Sequence, residues 1–551
     1  MGIDNRTELN DCEADAGWNG TDNPDLDNDA GFYYEGAGAM AAQFSNSQEY
    51  IIVGENSAGT ALNEDLSDST VWLLVKDNLA ETQVNGGFQI VLANGTGGAS
   101  AIIGFYVGGY DNPGLNLGKF YNCIRLDVSN ISAFSSFAHN GTLGGLNTAT
   151  ITDIGYGSVH IATARGNINN LWVDRITTIA NGSYALTANG GSVSTPLNMN
   201  TLYEDDELES NGWGIVSKGA GSSYTIYAST QFGDTGTGDS YFEENNSQIF
   251  LDGTGIGSTH FIFRVIGNST GTNSFVLDNT LFVGTGEGAI WDFTDTNFDI
   301  LKLTGTQFVD NGTINFPVAS TGNKFVNTSS FIGCGQIDFS TINADDITIK
   351  NNSDSATGAM LLDTDGQTTN QTNFTFESGG TGHGVYITAP GTYGLSNWNF
   401  SGYSTADPGD NLVSSSGSTD AMVYNNSGGA VQLNVSGGIG GNITIRNGAS
   451  ATTTVVATIN ITITNIVTGS EVRMYDFTGG VVGDEELGGN TNAFLESITG
   501  TSVTFSTVPQ KDYLIKIVNP EYVILRVEIP STGDDVTQKI TQVIDRVFDN
   551  P

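Results

Sequence analysis

The sequence predicts an all-β chain whose middle is a right-handed parallel β-helix, and three observations carry that prediction. First, a short phrase returns at one constant interval: Gly312-Thr313-Ile314-Asn315-Phe316 comes back as Gly335-Gln336-Ile337-Asp338-Phe339 and again as Gly358-Ala359-Met360-Leu361-Leu362. Phe293 precedes Phe316 by the same interval, and a looser copy ends at Ile387, slightly beyond where that interval would place it. Second, the apolar points between the copies, Phe308, Phe331, Ile347, Ile349, Phe376 and Phe400, share a rough period of similar size. Third, 73 glycines and abundant Asn, Ser and Thr stand against ten prolines, the composition of many short strands joined by tight turns. A unit this short cannot bury its own apolar side chains, so neighbouring copies must stack over a shared interior. Helical solenoids have longer repeats, and the Leu-x-x-Leu-x-Leu pattern of leucine-rich repeats is missing. Strand alternation then places Phe293, Ile314, Phe316, Ile337, Phe339, Met360, Leu362 and Ile387 inside as coil anchors, with Asn315, Asp338 and Leu361 facing outward.

Charge narrows the partners. With 60 acidic against 18 basic side chains and a formal charge of -42, the chain repels nucleic-acid phosphates and anionic membranes. The same field suits a soluble particle surface, or the binding of Ca²⁺ and other divalent cations, and no cofactor is required. No run of about 18 apolar residues exists, so no membrane insertion is expected. Cys12, Cys123 and Cys334 form neither a disulfide framework nor a zinc spacing. The residues from Met1 to Glu8 carry no basic n-region and no apolar h-region, so export by the general secretory route is not expected.

In chain order, residues 1–30 hold nine acids and Arg6 alone and read as an extended acidic arm, either a docking peptide or a frayed terminus. Residues 31–128 contain continuous apolar runs such as 71–75, 88–92 and 102–107 and read as a jelly-roll-like β-sandwich covered on both faces. Its aromatics, Trp72, Phe105, Tyr106 and Tyr110, suit a core better than a sugar-stacking surface. The β-helix is placed at 129–441. Within it the run Glu204-Asp205-Asp206-Glu207, with Glu209, reads as a solvated loop and as the one cation-binding candidate. Residues 442–530 change to long alternating strands with one wet face, a second β-sandwich. The last segment, 531–551, reads as a short helix capped by Asp534 or Asp535, with Ile540, Val543, Ile544 and Val547 on one face.

This combination resembles the β-helical virion proteins of bacteriophages, namely tail spikes, tail fibres and capsid-decorating fibres. The resemblance rests on the coils at Gly312, Gly335 and Gly358, on the missing export signal, and on the terminal sandwich. In that sandwich the stretches 468–479, 513–518 and 523–529 look like the transthyretin-like or Ig-like modules of phage structural proteins. The resemblance implies a homotrimer located in the virion, bound to other virion proteins through its N-terminal region and serving attachment, with cell-surface glycans as a further ligand class.

One constellation resembles a catalytic one. Asp345-Asp346 followed by Gly382-His383-Gly384 is similar to the Asp-Asp and Gly-His-Gly motifs of polygalacturonase-type glycosidases, which also use a β-helix. Such enzymes need one protonated and one ionised carboxyl group. The resemblance makes Asp346 the acid, Asp345 its neighbour and His383 an auxiliary group. The family's Asn-Thr-Asp element has no match, and Arg446 is a poor substitute for its Arg-Ile-Lys element. The other histidines, His139, His160 and His260, form no metal spacing. The preferred expectation is therefore a non-enzymatic virion structural protein, with a polysaccharide-depolymerising tail spike and a bacterial surface adhesin as alternatives.

Overall fold

The structure is a computed structural model that describes residues 6–14, 17–20, 25–27, 39–43, 49–77, 84–94, 101–108, 122–160, 170–181, 183–207, 215–233, 236–253, 256, 260–285, 288–297, 299–317, 323–351, 358–379, 382–404, 421–438, 443–478, 481–485, 494–495, 500–507, 512–530 and 536–545. The chain is all-β with large parallel sheets. It divides into two compact units, Met1–Asn315 with Thr321–Lys324, and Phe316–Ser320 with Phe325–Pro551.

The first unit begins with two antiparallel sheets. One runs in the order Asp25–Asp27, Ala39–Gln43, Asn170–Ala180, Ser69–Asp77, Asn122–Asp127, and Arg6–Asn10 also pairs with Asn170–Ala180. The other runs Ser136–Asn140, Ala101–Gly108, Val84–Asn94, Asp153–His160, Glu49–Val53, Trp18–Gly20. A single apolar cluster draws Val71, Leu73, Val75, Ile124 and Leu126 from the first sheet and Ile51, Val53, Ile90, Leu92, Ile103 and Phe105 from the second. The alternate positions are covered too: Ile52, Val91 and Ala93 form another buried group, and Trp72 and Leu74 are also buried. Burial on both faces is what makes these strands read as continuous apolar runs.

Two boundaries move. The acidic segment 1–30 is not an arm, because Arg6–Asn10 and Trp18–Gly20 are sheet strands and Leu9, Cys12 and Trp18 lie in the core. Its apolar residues outweigh its charge. The first module does not end at 128 either, since Asp153–His160 and Asn170–Ala180 sit inside the two sheets and complete them. Tyr110 lies outside the described residues.

Parallel pairing in the first unit starts at Leu186–Ala188, which pairs with Thr230–Phe232, then Ile262–Val265, Ile290–Asp292 and Ile314–Asn315. Alongside it Ser223–Ile226, Gln248–Asp252, Leu281–Thr285 and Gln307–Val309 form a second parallel series. Alternation of burial, as in Asn273–Asp278, marks one inner and one outer face. Trp291 and Phe293 stack at 5.4 Å and Phe282 and Phe308 at 5.4 Å, all four buried.

In the second unit Ile337–Asp338, Gly358–Leu362, His383–Ile387, Val423–Asn425 and Ile445–Asn447 pair in parallel. Register runs Ile337, Met360, Val385, Val423, Ile445, with Leu362 opposite Ile387. In the neighbouring sheet Phe331 stands opposite Ile349, Ile349 opposite Phe376, and Phe376 opposite Phe400. The anchors Phe293, Ile314, Phe316, Ile337, Phe339, Met360, Leu362 and Ile387 are all at most 2% exposed. Phe316 and Phe339 stack at 5.2 Å, 11° from parallel. Each such phenylalanine contributes about 1.5–3 kcal/mol by leaving water.

The strand Thr452–Thr464 ends this series and begins the next one. Its first half, residues 452–458, pairs in parallel with Ala430–Ser436, and its second half pairs antiparallel with Ser502–Thr507. The parallel pairing therefore continues past the expected boundary at 441. Beyond it Val481–Glu485, Glu471–Thr478, Tyr513–Asn519 and Tyr522–Ile529 form an antiparallel sheet, and Ile461, Ile463, Val472, Met474, Phe505, Ile515 and Ile517 share one core. The expected C-terminal helix is not formed at its start: Val536–Lys539 is a strand parallel to residues 461–464. Pairing with an available sheet edge satisfies its backbone groups better than a short isolated helix. Ile540 is buried, Val543 and Ile544 are 65% and 53% exposed, and Val547 lies outside the described residues.

Candidate functional site

Asp345 and Asp346 lie on Asn343–Lys350, at a corner where successive parallel strands carry a left-handed residue. Thr328, Asp346, Asn373 and Asn397 all have φ between 48° and 61°, and Gly437 and Gly438 continue the series at 63° and 57°. The left-handed conformation costs most residues about 1–2 kcal/mol and favours Asn, Asp and Gly. At Gly438 an added Cβ would meet the Trp398 carbonyl oxygen at 2.2 Å. Asp345 Oδ1 accepts from Thr372 Oγ1 at 2.6 Å and Asn373 Nδ2 at 2.7 Å, Asn397 Nδ2 donates to Asn373 Oδ1 at 2.6 Å, and Gly438 N–H donates to Asn397 Oδ1 at 3.1 Å. Asp345 is thus part of a polar ladder over the corner, and Asp346 occupies one of its left-handed positions.

His383 belongs to the other sheet and is 3% exposed. The Ala421 N–H donates to its Nδ1 at 3.0 Å, Arg446 Nη1 lies 3.0 Å from its Nε2, and its ring is 4.9 Å from that of Tyr424. The Arg446 guanidinium is buried 4.5 Å over the Tyr424 ring, where a cation meets the ring's negative face. His383 and Arg446 come together, but Asp345 and Asp346 are on a different sheet and tied into the corner.

The acidic run is not a loop. It ends the helix Met199–Glu207, which Asn198 and Thr201 start as a capping box: Thr201 N–H donates to Asn198 Oδ1 at 3.0 Å and Asn198 N–H to Thr201 Oγ1 at 2.8 Å. The buried Glu244 carboxylate accepts from Met199 N–H at 2.6 Å, a charge placed at the favourable end of the helix dipole. Glu204 is exposed and accepts from Asn200 Nδ2. The side chains of Asp205, Asp206 and Glu207, and the whole of Glu209, lie outside the described residues. Among the described residues no group of three or more His, Cys, Asp or Glu side chains is arranged to hold a metal.

Two titratable groupings were not singled out from the sequence. Asp338, at the outward position of the second anchor phrase, is pushed up to about 6, chiefly by burial, with the Asp363 carboxylate adding to the effect. Its Oδ1 accepts from Ser340 N–H at 2.7 Å and Gln367 Nε2 at 3.0 Å, which oppose the rise. Gln367, 1% exposed, also accepts the Asp363 N–H at 2.9 Å through Oε1. Nearby Tyr393 is raised to about 12 by burial and by Asp365 and Asp363. A carboxyl group that holds its proton near pH 6 beside another carboxylate has the chemistry of a proton donor. The signal was an Asp where the other copies carry Asn315 and Leu361.

The second grouping lies in the first unit. His260 Nδ1 is 2.7 Å from Asp127 Oδ2, and Ser129 Oγ donates to Asp127 Oδ1 at 2.6 Å. Burial alone would raise the Asp127 carboxyl, but hydrogen bonds from Ser129, His260 and Asn181 and the charge of His260 hold it below the usual range. Beside it Arg125 is clamped between the rings of Trp72 (5.7 Å) and Tyr227 (5.4 Å) and paired with Asp252 at 3.2 Å. These groups tie the antiparallel sheets to the parallel series. Partners so far apart along the chain leave no local pattern.

No protein-family model matches the sequence, and no curated protein does. Among solved structures the chain is similar to one described as the solution structure of CtCBM11, at 11% identity and a TM-score of 0.21, over 33% of this chain and 98% of that one. A likeness at that TM-score carries neither a fold nor a ligand to this chain.

Proposed function

We propose that the chain is a structural protein of a bacteriophage virion, a fibre, spike or capsid decoration serving attachment or surface adhesion. Its architecture, on the same proposal, is a right-handed parallel β-helix between two β-sandwiches, the second of Ig or transthyretin type. The observation that supports this best is the unbroken in-register column Ile337, Met360, Val385, Val423, Ile445 together with the apolar column Phe331, Ile349, Phe376, Phe400. Strands stacked in this way brace one another, which suits a part that spaces a binding module from a particle. Mass spectrometry of purified virions against host envelope fractions tests it. Recovery of the chain only with the envelope overturns it in favour of an adhesin.

One observation favours the alternative of a polysaccharide-cleaving spike: Asp338, held protonated up to about pH 6 near Asp363. On that reading Asp338, rather than Asp346, is the proton donor. New reducing ends from acidic or neutral polysaccharides, lost in Asp338→Asn and kept in Asp346→Asn, would establish it.

A further inference from the structure

The last sheet of the second unit ends in an open edge. Tyr522–Ile529 is its outermost strand, paired on one side with Tyr513–Asn519. On the other side the chain's own C-terminal segment covers only its start: Val523 N–H donates to Val543 O at 2.9 Å and Asp545 N–H to Glu521 O at 3.0 Å. From Ile524 to Ile529 no described strand bonds to that edge. The place is also apolar, with Val523 50%, Ile524 52%, Val543 65% and Ile544 53% exposed. An open edge flanked by exposed branched aliphatics is a template for another strand.

The pattern on the strand names the occupant. Arg526 and Glu528 are both exposed on its outer face, while Leu525, Val527 and Ile529 turn to the core. In an antiparallel pairing of this strand with itself about Val527, Arg526 stands opposite Glu528 and Glu528 opposite Arg526, with Leu525 opposite Ile529. Both charge pairs are attractive, and the arrangement is two-fold, so the same surface serves both partners. Sheet extension of this kind supplies main-chain hydrogen bonds for affinity and side-chain pairs for register.

We propose that the outer edge of Tyr522–Ile529 is a self-association surface, which joins two copies of the chain edge to edge about Val527. Sedimentation of the full chain over a concentration series tests this. The wild type is expected to dimerise. Arg526→Glu and Glu528→Arg, each of which puts like charges opposite one another twice per dimer, are expected to raise the dissociation constant about tenfold or more. The double variant Arg526→Glu/Glu528→Arg restores both attractive pairs and is expected to recover dimerisation. Circular dichroism of the single variants, matching the wild type, ties their loss to the interface. A monomeric wild type, a closed trimer, single variants that dimerise as the wild type does, or a double variant no better than the singles would each overturn the proposal.

Discussion

Replacing Asp338 with Asn removes a charge that the fold keeps at a cost. Its carboxyl lies at about 6 instead of 3.8, a difference of about 2 units, and at 1.36 kcal/mol per unit this is about 3 kcal/mol. The folded carboxyl holds its proton more tightly than the unfolded one, so the penalty is absent below about pH 4, grows between about 4 and 6, and is complete above that interval. Asn keeps a carbonyl oxygen for Ser340 N–H and Gln367 Nε2, so the hydrogen bonds survive. The variant is therefore expected to exceed the wild type in stability by up to about 3 kcal/mol at pH 7.5 and to match it at pH 4. Urea unfolding followed by tryptophan fluorescence reads this, since Trp398 is buried in the same unit. A variant less stable than the wild type at pH 7.5, or a difference that ignores pH, refutes the assignment of a half-buried, destabilising charge.

Three further outcomes follow from single contacts. Phe339→Ala removes a ring packed on Phe316, Phe331 and Phe374 at 5.2, 5.5 and 5.3 Å and is expected to cost about 3–5 kcal/mol, seen as a lower urea midpoint. Thr328→Asn places a residue tolerant of positive φ at 48°, on an exposed position, and is expected to stabilise by about 1 kcal/mol in the same assay. Asp127→Ala removes the acceptor of His260 and Ser129 and is expected to cost about 2 kcal/mol at neutral pH. Because the folded Asp127 carboxyl is depressed, its contribution is present above about pH 4 and lost as acid protonates it. Wild type and variant should therefore converge at low pH.

What could be read from residues alone was whatever repeats at a short, nearly constant interval. Phe331, Ile349, Phe376 and Phe400 share a rough period in the sequence and stand in register in the sheet, because a side chain stacked on its neighbour must return to the same place on each successive strand. At the corner the sequence left Asp346 only as a catalytic candidate beside Asp345, and its φ of 57° adds a backbone reason for an Asp or Asn there. Long-range closure left no trace: Asn170–Ala180 completes a sheet with Ser69–Asp77, and nothing local says so. At the C-terminus Ile540, Val543 and Ile544 fit a helical face, but Val536–Lys539 met an open edge beside residues 461–464, and tertiary pairing overrode spacing.

The strand Thr452–Thr464 is one piece of backbone shared by two bodies. A load applied to the terminal module along this strand does not peel bonds one at a time. It shears the whole aligned stretch from 452 to 458 against Ala430–Ser436 together, so the module is held by all of that overlap at once. Detachment under tension then requires sliding a strand along its neighbour, a far higher mechanical barrier than opening a hinge.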